Sequence, residues 1–209
     1  VAVAAGLCAA AIGSETWGSL VAPASANGVV TLKPSLGLVS RDRVIPITEA
    51  TDTAGPMARS VADLAAVLDV IAWPDPADPE TEAARPLAGL RFSARLNPDG
   101  LRGKKVGIVR QTRDFDPDAP AWRERLAAAL RAAGASVVEA APQPLDETRF
   151  RDDFMTVAYF DFKRGVNAYL AATGAPMRTL ADIVAFNAAD PAKRVPWGQT
   201  LLTASETHT

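Results

Sequence analysis

Lys105-Val-Gly-Ile-Val-Arg110, the run from Pro120 to Ala133 and Ser136-Val-Val-Glu139 together decide the fold class. The first and third are short apolar stretches with β-branched residues. Between them Leu126, Leu130 and Ala133 recur at helical spacing, and Gly134 follows where such a helix would end. Strand, helix and strand in that order make a crossover, which joins parallel strands and lays the helix over them. The expected class is α/β, with a mixed, largely parallel β-sheet covered by helices on both faces.

Further helices extend this pattern in both directions. Ser60 stands before Val61, Leu64, Ala65, Leu68 and Ile71, a capped amphipathic helix with Pro74 just beyond it. From about 146 to 172, Phe150, Phe154, Val157, Ala158, Phe162, Val166 and Tyr169 form a helical stripe that reads as core, and Thr179 to Ala189 reads as another helix. Residues 73 to 103, with five prolines, predict a surface excursion closed by the turn Asn97-Pro98-Asp99-Gly100; its acidic part from Asp75 to Glu82 reads as a solvated loop. Over residues 13 to 58, short apolar bursts at Gly28–Leu32, Gly37–Val39 and Val44–Ile47 suggest short strands and turns around a functional loop region.

The opening run, Val1-Ala-Val-Ala-Ala-Gly-Leu-Cys-Ala-Ala-Ala-Ile12, lacks an N-cap and a polar face and reads as the inside of a buried helix, with Cys8 a small buried hydrophobe. The run is expected to be neither a membrane span, which would need about 20 apolar residues, nor a signal peptide, which would want a basic region ahead of it. The expectation is an internal segment of a longer polypeptide: a single incomplete domain, 1–209, divided into a nucleophile region (1–72), the excursion (73–103) and a strand-helix-strand and helical region (104–209).

Composition narrows the chemistry. Among 209 residues, 22 Lys and Arg against 24 Asp and Glu leave a net charge of −2, with no excess of positive charge to hold nucleic acid or an anionic membrane. The lone cysteine and the lone histidine, His208, can build neither a disulfide, a cysteine-based zinc site nor an ordinary Ser-His-Asp triad. No metal and no cofactor are expected.

The chemistry concentrates in residues 13 to 59. Gly13-Ser-Glu-Thr-Trp-Gly-Ser-Leu-Val-Ala-Pro23 gathers small and hydroxyl residues, and Gly18 directly before Ser19 permits the dihedrals that a nucleophilic serine on a tight turn demands. Asn27-Gly28 suggests a second tight turn. Taken with Asn27-Gly28-Val-Val-x-Leu-Lys-Pro34, Gly37-Leu-Val-Ser-Arg41 and Asp52-Thr-Ala-Gly-Pro-Met-Ala-Arg-Ser-Val-Ala-Asp63, this order resembles the amidase signature family. Leu96–Gly107, Asp161-Phe-Lys163, Asp182–Asn187 and Gly198-Gln199 are similar to bacterial peptide amidases.

That resemblance implies hydrolysis of a carboxylic amide to acid and ammonia through an acyl-enzyme on Ser19. It assigns the oxyanion hole to the backbone N–H groups of Thr16, Trp17, Gly18 and Ser19, each worth about 3 kcal/mol in the transition state. It puts the remaining catalytic pair, a serine on a cis peptide and a lysine, ahead of Val1, so the 209 residues alone are expected to be inactive. Lys33 matches the Leu-Lys-Pro element, which implies a loop or strand-end role.

Trp17 stands where relatives commonly have Gly or Asp. Its indole either walls the acyl pocket or packs outward. Val21 stands where many relatives have Arg, which favours uncharged or peptide-like amides over anionic ones. Ser40 and Arg41 are candidates for the pocket mouth or a turn. Asp52 and Arg59 are expected to form a charge pair that supports the loop beneath the site. Two alternative functions share these residues: a non-catalytic scaffold, and one subunit of an ammonia-transferring amidotransferase.

Overall fold

The computed structural model describes residues 1–109, 117–141 and 145–208. They fall into two compact units, Val1–Ser93 with Thr148–Thr209, and Ala94–Glu147.

The first unit is built on a three-stranded sheet. β1 (Ala10–Glu15) and β2 (Val30–Thr31) flank β3 (Thr53–Ala58), and both pairings are antiparallel. The central strand carries Pro56, which has no N–H to give to a ladder. Its carbonyl accepts from Thr31 Oγ1 at 2.9 Å and from the Leu32 N–H at 3.4 Å, so its ring nitrogen faces the side where the two-residue β2 has already ended.

The buried helix expected over Val1–Ile12 is not found. Val1 to Ala5 form a single helical turn, closed by the Leu7 N–H on the Ala2 carbonyl and the Gly6 N–H on the Val3 carbonyl. Gly6, at φ 74°, occupies the left-handed position that this Schellman closure requires. The chain then extends into β1, because residues 10–15 find six register partners along β3 that an alanine-rich helix would forgo. Cys8 is half-buried rather than deeply buried. The Gly37–Val39 and Val44–Ile47 bursts are turns and irregular chain, not strands.

Between β1 and β3 the paired glycines Gly13 and Gly55 leave a slot for Leu20, which is fully buried. A Cβ on Gly13 would lie 2.8 Å from Leu20 Cδ2; one on Gly55 would lie 2.3 Å from the Leu32 carbonyl oxygen and 2.7 Å from Leu20 Cδ1. Helix α1 (Val21–Asn27) leaves directly from this plug and ends at Gly28.

Helix α2 (Val61–Ile71) starts as the sequence predicts, with Ser60 accepting the Asp63 N–H. Leu68 and Ala72 join Val39 and Ala54 in a buried cluster, with Leu38, Ile71 and Phe92 packed against it. The acidic segment from Asp75 to Glu82, expected as a solvated loop, is instead folded. A 3₁₀ helix occupies Pro79–Leu87, and Asp78 and Thr81 are buried. Thr81 Oγ1 donates to the Asp78 carbonyl at 2.7 Å and accepts the Asp75 N–H, which makes the segment a polar staple.

In the second unit β4 (Lys105–Val109) pairs in parallel with β5 (Ser136–Ala140), and α3 (Ala119–Ala132) connects them. This is the crossover on which the α/β class rests; Arg110 lies outside the described residues. From Thr148 onward the chain belongs to the first unit, where helix α4 (Glu147–Thr173) buries Ala158, Gly165 and Val166, while Phe150, Val157 and Phe160 are exposed, the first two against their expected place in the core stripe. Thr179 caps α5 (Leu180–Ala188) in a reciprocal capping box with Asp182. The short α6 (Pro191–Arg194) and α7 (Thr200–Thr207) follow. None of the described helices is long and apolar enough to cross a membrane.

The slot yields a direct test. Gly55→Ala should lower the unfolding free energy of the full-length protein by about 1–3 kcal/mol, because the added methyl overpacks against backbone that cannot rotate away. Urea denaturation of the two proteins reads this, and an unchanged midpoint would show that Leu20 does not need the slot.

Candidate active site

Ser19 is exposed on the turn between β1 and α1. Its two neighbours fix that turn by opposite means. Gly18 has φ 94°, a backbone conformation that residues with a Cβ rarely adopt. Leu20 is the buried plug. The serine hydroxyl is therefore presented at the surface by a glycine that permits the bend and a leucine that anchors it.

The anchor is electrostatic as well as apolar. The Glu15 carboxylate, 5% exposed, accepts the N–H of Leu20 at 2.8 Å and of Val21 at 3.0 Å through Oε2. These are among the first N–H groups of α1, which the helix itself cannot satisfy. Burial alone pushes this carboxyl up; the N–H groups of Leu20, Val21 and Gly18 and the charge of Lys33 outweigh it and hold Glu15 below its usual 4.5. Lys33 Nζ donates to the Thr51 carbonyl at 2.9 Å and the Glu15 carbonyl at 3.4 Å, so it ties strand ends together. No sequence motif singles out Glu15; its role is set by the turn that brings the Leu20 and Val21 N–H groups back to its carboxylate.

Asp52 holds the other side of the turn. Its Oδ1 accepts Thr16 Oγ1 at 2.5 Å, and its Oδ2 accepts the N–H of Ile47 at 2.7 Å and of Thr48 at 3.0 Å. Thr48 Oγ1 in turn donates to Asp161 of α4 at 2.5 Å. The expected charge pair between Asp52 and Arg59 is not formed. Arg59 donates instead to the carbonyls of Val3 and Cys8 at 2.8 and 2.9 Å, pinning the N-terminal turn to the end of β3. Each residue satisfies backbone groups that a salt bridge would have left unpaired.

The remaining predicted residues divide. Ser40 Oγ donates to Asp75 Oδ2 at 2.6 Å, and the Arg41 N–H and guanidinium engage Asp78 at 2.8 and 3.6 Å. Both bind the folded acidic segment. Arg41 also lines a cavity of about 560 Å³ with Pro46, Glu49 and Tyr169, which Ser19 and Trp17 do not line. Val21 is 52% exposed one step beyond the plug. Trp17 is 56% exposed and meets Phe150 and Phe154 of α4 edge-on, with ring centroids 5.6 and 4.8 Å away. Asn27 Nδ2 donates to the Pro23 carbonyl at 2.8 Å, completing the close of α1 at Gly28, whose φ is 61°.

The Amidase family is matched over residues 1–198. The chain belongs to that family. Its fold is similar to the peptide amidase of Stenotrophomonas maltophilia, with a TM-score of 0.93 at 44% identity over all of this chain and 43% of that one. An amidase family protein of Bacillus anthracis gives a TM-score of 0.88 at 37% identity over all of this chain and 40% of that one. In sequence it is 36% identical to a probable amidase of Arabidopsis thaliana over 99% of this chain and 40% of the relative. It is 45% identical to one subunit of the glutamyl-tRNA(Gln) amidotransferase of a Synechococcus strain over 66% of this chain and 28% of the relative. The chain thus spans less than half the length of these amidase-family relatives.

Glu15 gives this site a pH signature. Its carboxyl is more acidic folded than unfolded, so its stabilisation is fully present above about pH 4.5 and is lost as pH falls through the lowered value. Glu15→Gln should cost about 1–2 kcal/mol at pH 7, and the gap from the parent should begin to narrow below about pH 4.5 and close as pH falls through the lowered value. Urea midpoints of both proteins between pH 7 and pH 3 measure this; a pH-independent gap would assign the loss to shape rather than charge.

Proposed function

We propose that this chain carries the nucleophile of an amidase that hydrolyses an uncharged carboxylic amide, such as a peptide C-terminal amide, to an acid and ammonia. The observation that carries the reading is the presentation of Ser19: an exposed hydroxyl between a glycine at φ 94° and a fully buried leucine, on a turn fixed by a buried carboxylate.

The chemistry follows from the substrate. An amide carbonyl is a poor electrophile, so attack needs an activated hydroxyl, donors for the developing oxyanion and a proton for the departing nitrogen. Ser19 Oγ adds to the carbonyl carbon and loses its proton to a base. The C–N bond then breaks, ammonia leaves with a proton returned to it, and an ester to Ser19 remains. Water adds to that ester, the acid departs and the serine regains its proton. The N–H groups of Thr16, Trp17 and Ser19 serve as the oxyanion donors in this scheme, while that of Gly18 is engaged by the Glu15 carboxylate. The base is a lysine acting through a second serine, both contributed by chain ahead of Val1. Val21, in place of a cation, leaves the entrance without an anchor for anionic substrates.

Two results test the proposal. Ser19→Ala in the full-length protein should lower kcat for a simple amide by at least about 10³-fold while the unfolding midpoint stays nearly constant, since one surface hydroxyl contributes little packing. Retention of a tenth of the parental kcat would remove Ser19 from the role. Residues 1–209 expressed alone should show no turnover above background; Ser19-dependent turnover would place the base within this chain.

The similarity to a glutamyl-tRNA(Gln) amidotransferase supports a second reading, in which the same Ser19 chemistry releases ammonia for transfer. Glutamine-dependent activity that requires a copurifying second protein would favour it over a free amidase.

A further inference from the structure

Ser19 lies between two exposed apolar side chains, Trp17 two residues before it and Val21 two residues after it, 56% and 52% exposed. The one carboxylate of this turn, Glu15, is buried and spent on backbone N–H groups.

The indole is also held in place. Phe154 meets it at 4.8 Å with an interplanar angle of 63°, and Phe150 meets it at 5.6 Å and 84°. The two phenylalanines lie nearly parallel to each other, at 20° with centroids 6.5 Å apart, one helical turn apart on α4. Edge-to-face contact of this kind fixes a ring while leaving part of its surface open, and more than half of the Trp17 surface is open. Phe150 remains 43% exposed beside it.

Distance joins this aromatic group to the reaction. Two residues of chain span at most about 7 Å, so the Trp17 Cα stays within that radius of the Ser19 Cα. A substrate carbonyl attacked by Ser19 Oγ carries its α-carbon one bond from the attacked carbon and the side chain on it two bonds away, within reach of an indole rooted so close.

We propose that Trp17, positioned by Phe150 and Phe154, is the specificity-determining wall of the acyl site, and that it selects amides whose acyl residue bears an aromatic or other large apolar side chain. The inference rests on the amidase reading above and names its substrate class. Trp17 touches the substrate side chain; Phe150 and Phe154 act through Trp17 as positioning residues. A ring already held by two neighbours loses little freedom when it packs against substrate, so the contact favours binding.

The test uses the full-length protein with N-acetyl-phenylalaninamide and N-acetyl-alaninamide. The parent should prefer the aromatic amide in kcat/KM by about 10-fold or more, the scale on which apolar pockets discriminate. Trp17→Gly should erase most of that preference. Phe154→Ala should reduce it several-fold, by lowering kcat/KM for the aromatic amide more than for the alanine amide, and Phe154→Tyr should restore it. Binding of both amides to Ser19→Ala, measured by calorimetry, should show the same order without turnover. Turnover with no aromatic preference, or equal losses for both substrates in Trp17→Gly and Phe154→Ala, would overturn the wall and leave the amidase reading intact. Aromatic-selective binding by Ser19→Ala, with no turnover of either amide by the parent, would overturn the amidase reading and leave the wall. If Trp17→Gly fails to fold, Trp17→Leu and the Ser19→Ala binding order decide the question, and equal binding of the two amides there counts against the wall.

Discussion

The Glu15 carboxylate bonded to the N–H groups of Leu20 and Val21 is the contact on which the site depends. A carboxylate buried to 5% exposure is costly unless its oxygens are satisfied, and the start of a helix is rich in N–H groups with no other partner. Each need meets the other across five residues. The outcome is a closed turn whose ends cannot drift, with Trp17, Gly18 and Ser19 at its tip.

Packing and polar contacts reinforce this closure from two directions. Leu20 fills the slot left by Gly13 and Gly55, so β1 and β3 grip the residue that follows the serine. Asp52 takes the hydroxyl of Thr16, the residue after Glu15, and binds the 47–48 backbone, from which Thr48 reaches α4 through Asp161. The aromatic contact of Trp17 with Phe150 and Phe154 reaches the same helix by a second route. Turn and helix α4 are thereby joined by one polar and one aromatic path.

Local signals in the sequence were reliable where the determining contacts are local. Ser60 before α2, the capping box at Thr179, the parallel crossover of β4, α3 and β5 and the bend at Gly18 all depend on residues within a few positions of one another or on a single short crossover. Features set by distant partners were not legible. An alanine-rich run reads as helix until the strand at 53–58 offers it a ladder. The stretch from Asp75 to Glu82 looks solvated until Ser40 and Arg41 supply its donors. Asp52 and Arg59 look like a pair because opposite charges suggest one, yet both are drawn to backbone groups that would otherwise lie unsatisfied. Phe150 and Phe154 read as core from their periodicity alone; only the fold brings Trp17 to them.

The central claim, that this turn exists to present Ser19 as a nucleophile, is tested most directly by trapping the covalent intermediate. The full-length protein is mixed with an N-acyl amino acid amide, quenched in acid during turnover, digested and analysed by mass spectrometry. The predicted result is an acyl increment on the peptide that contains Ser19, absent from the Ser19→Ala protein. Continued ammonia release with the increment on another residue, or with Ser19 never acylated, would contradict it.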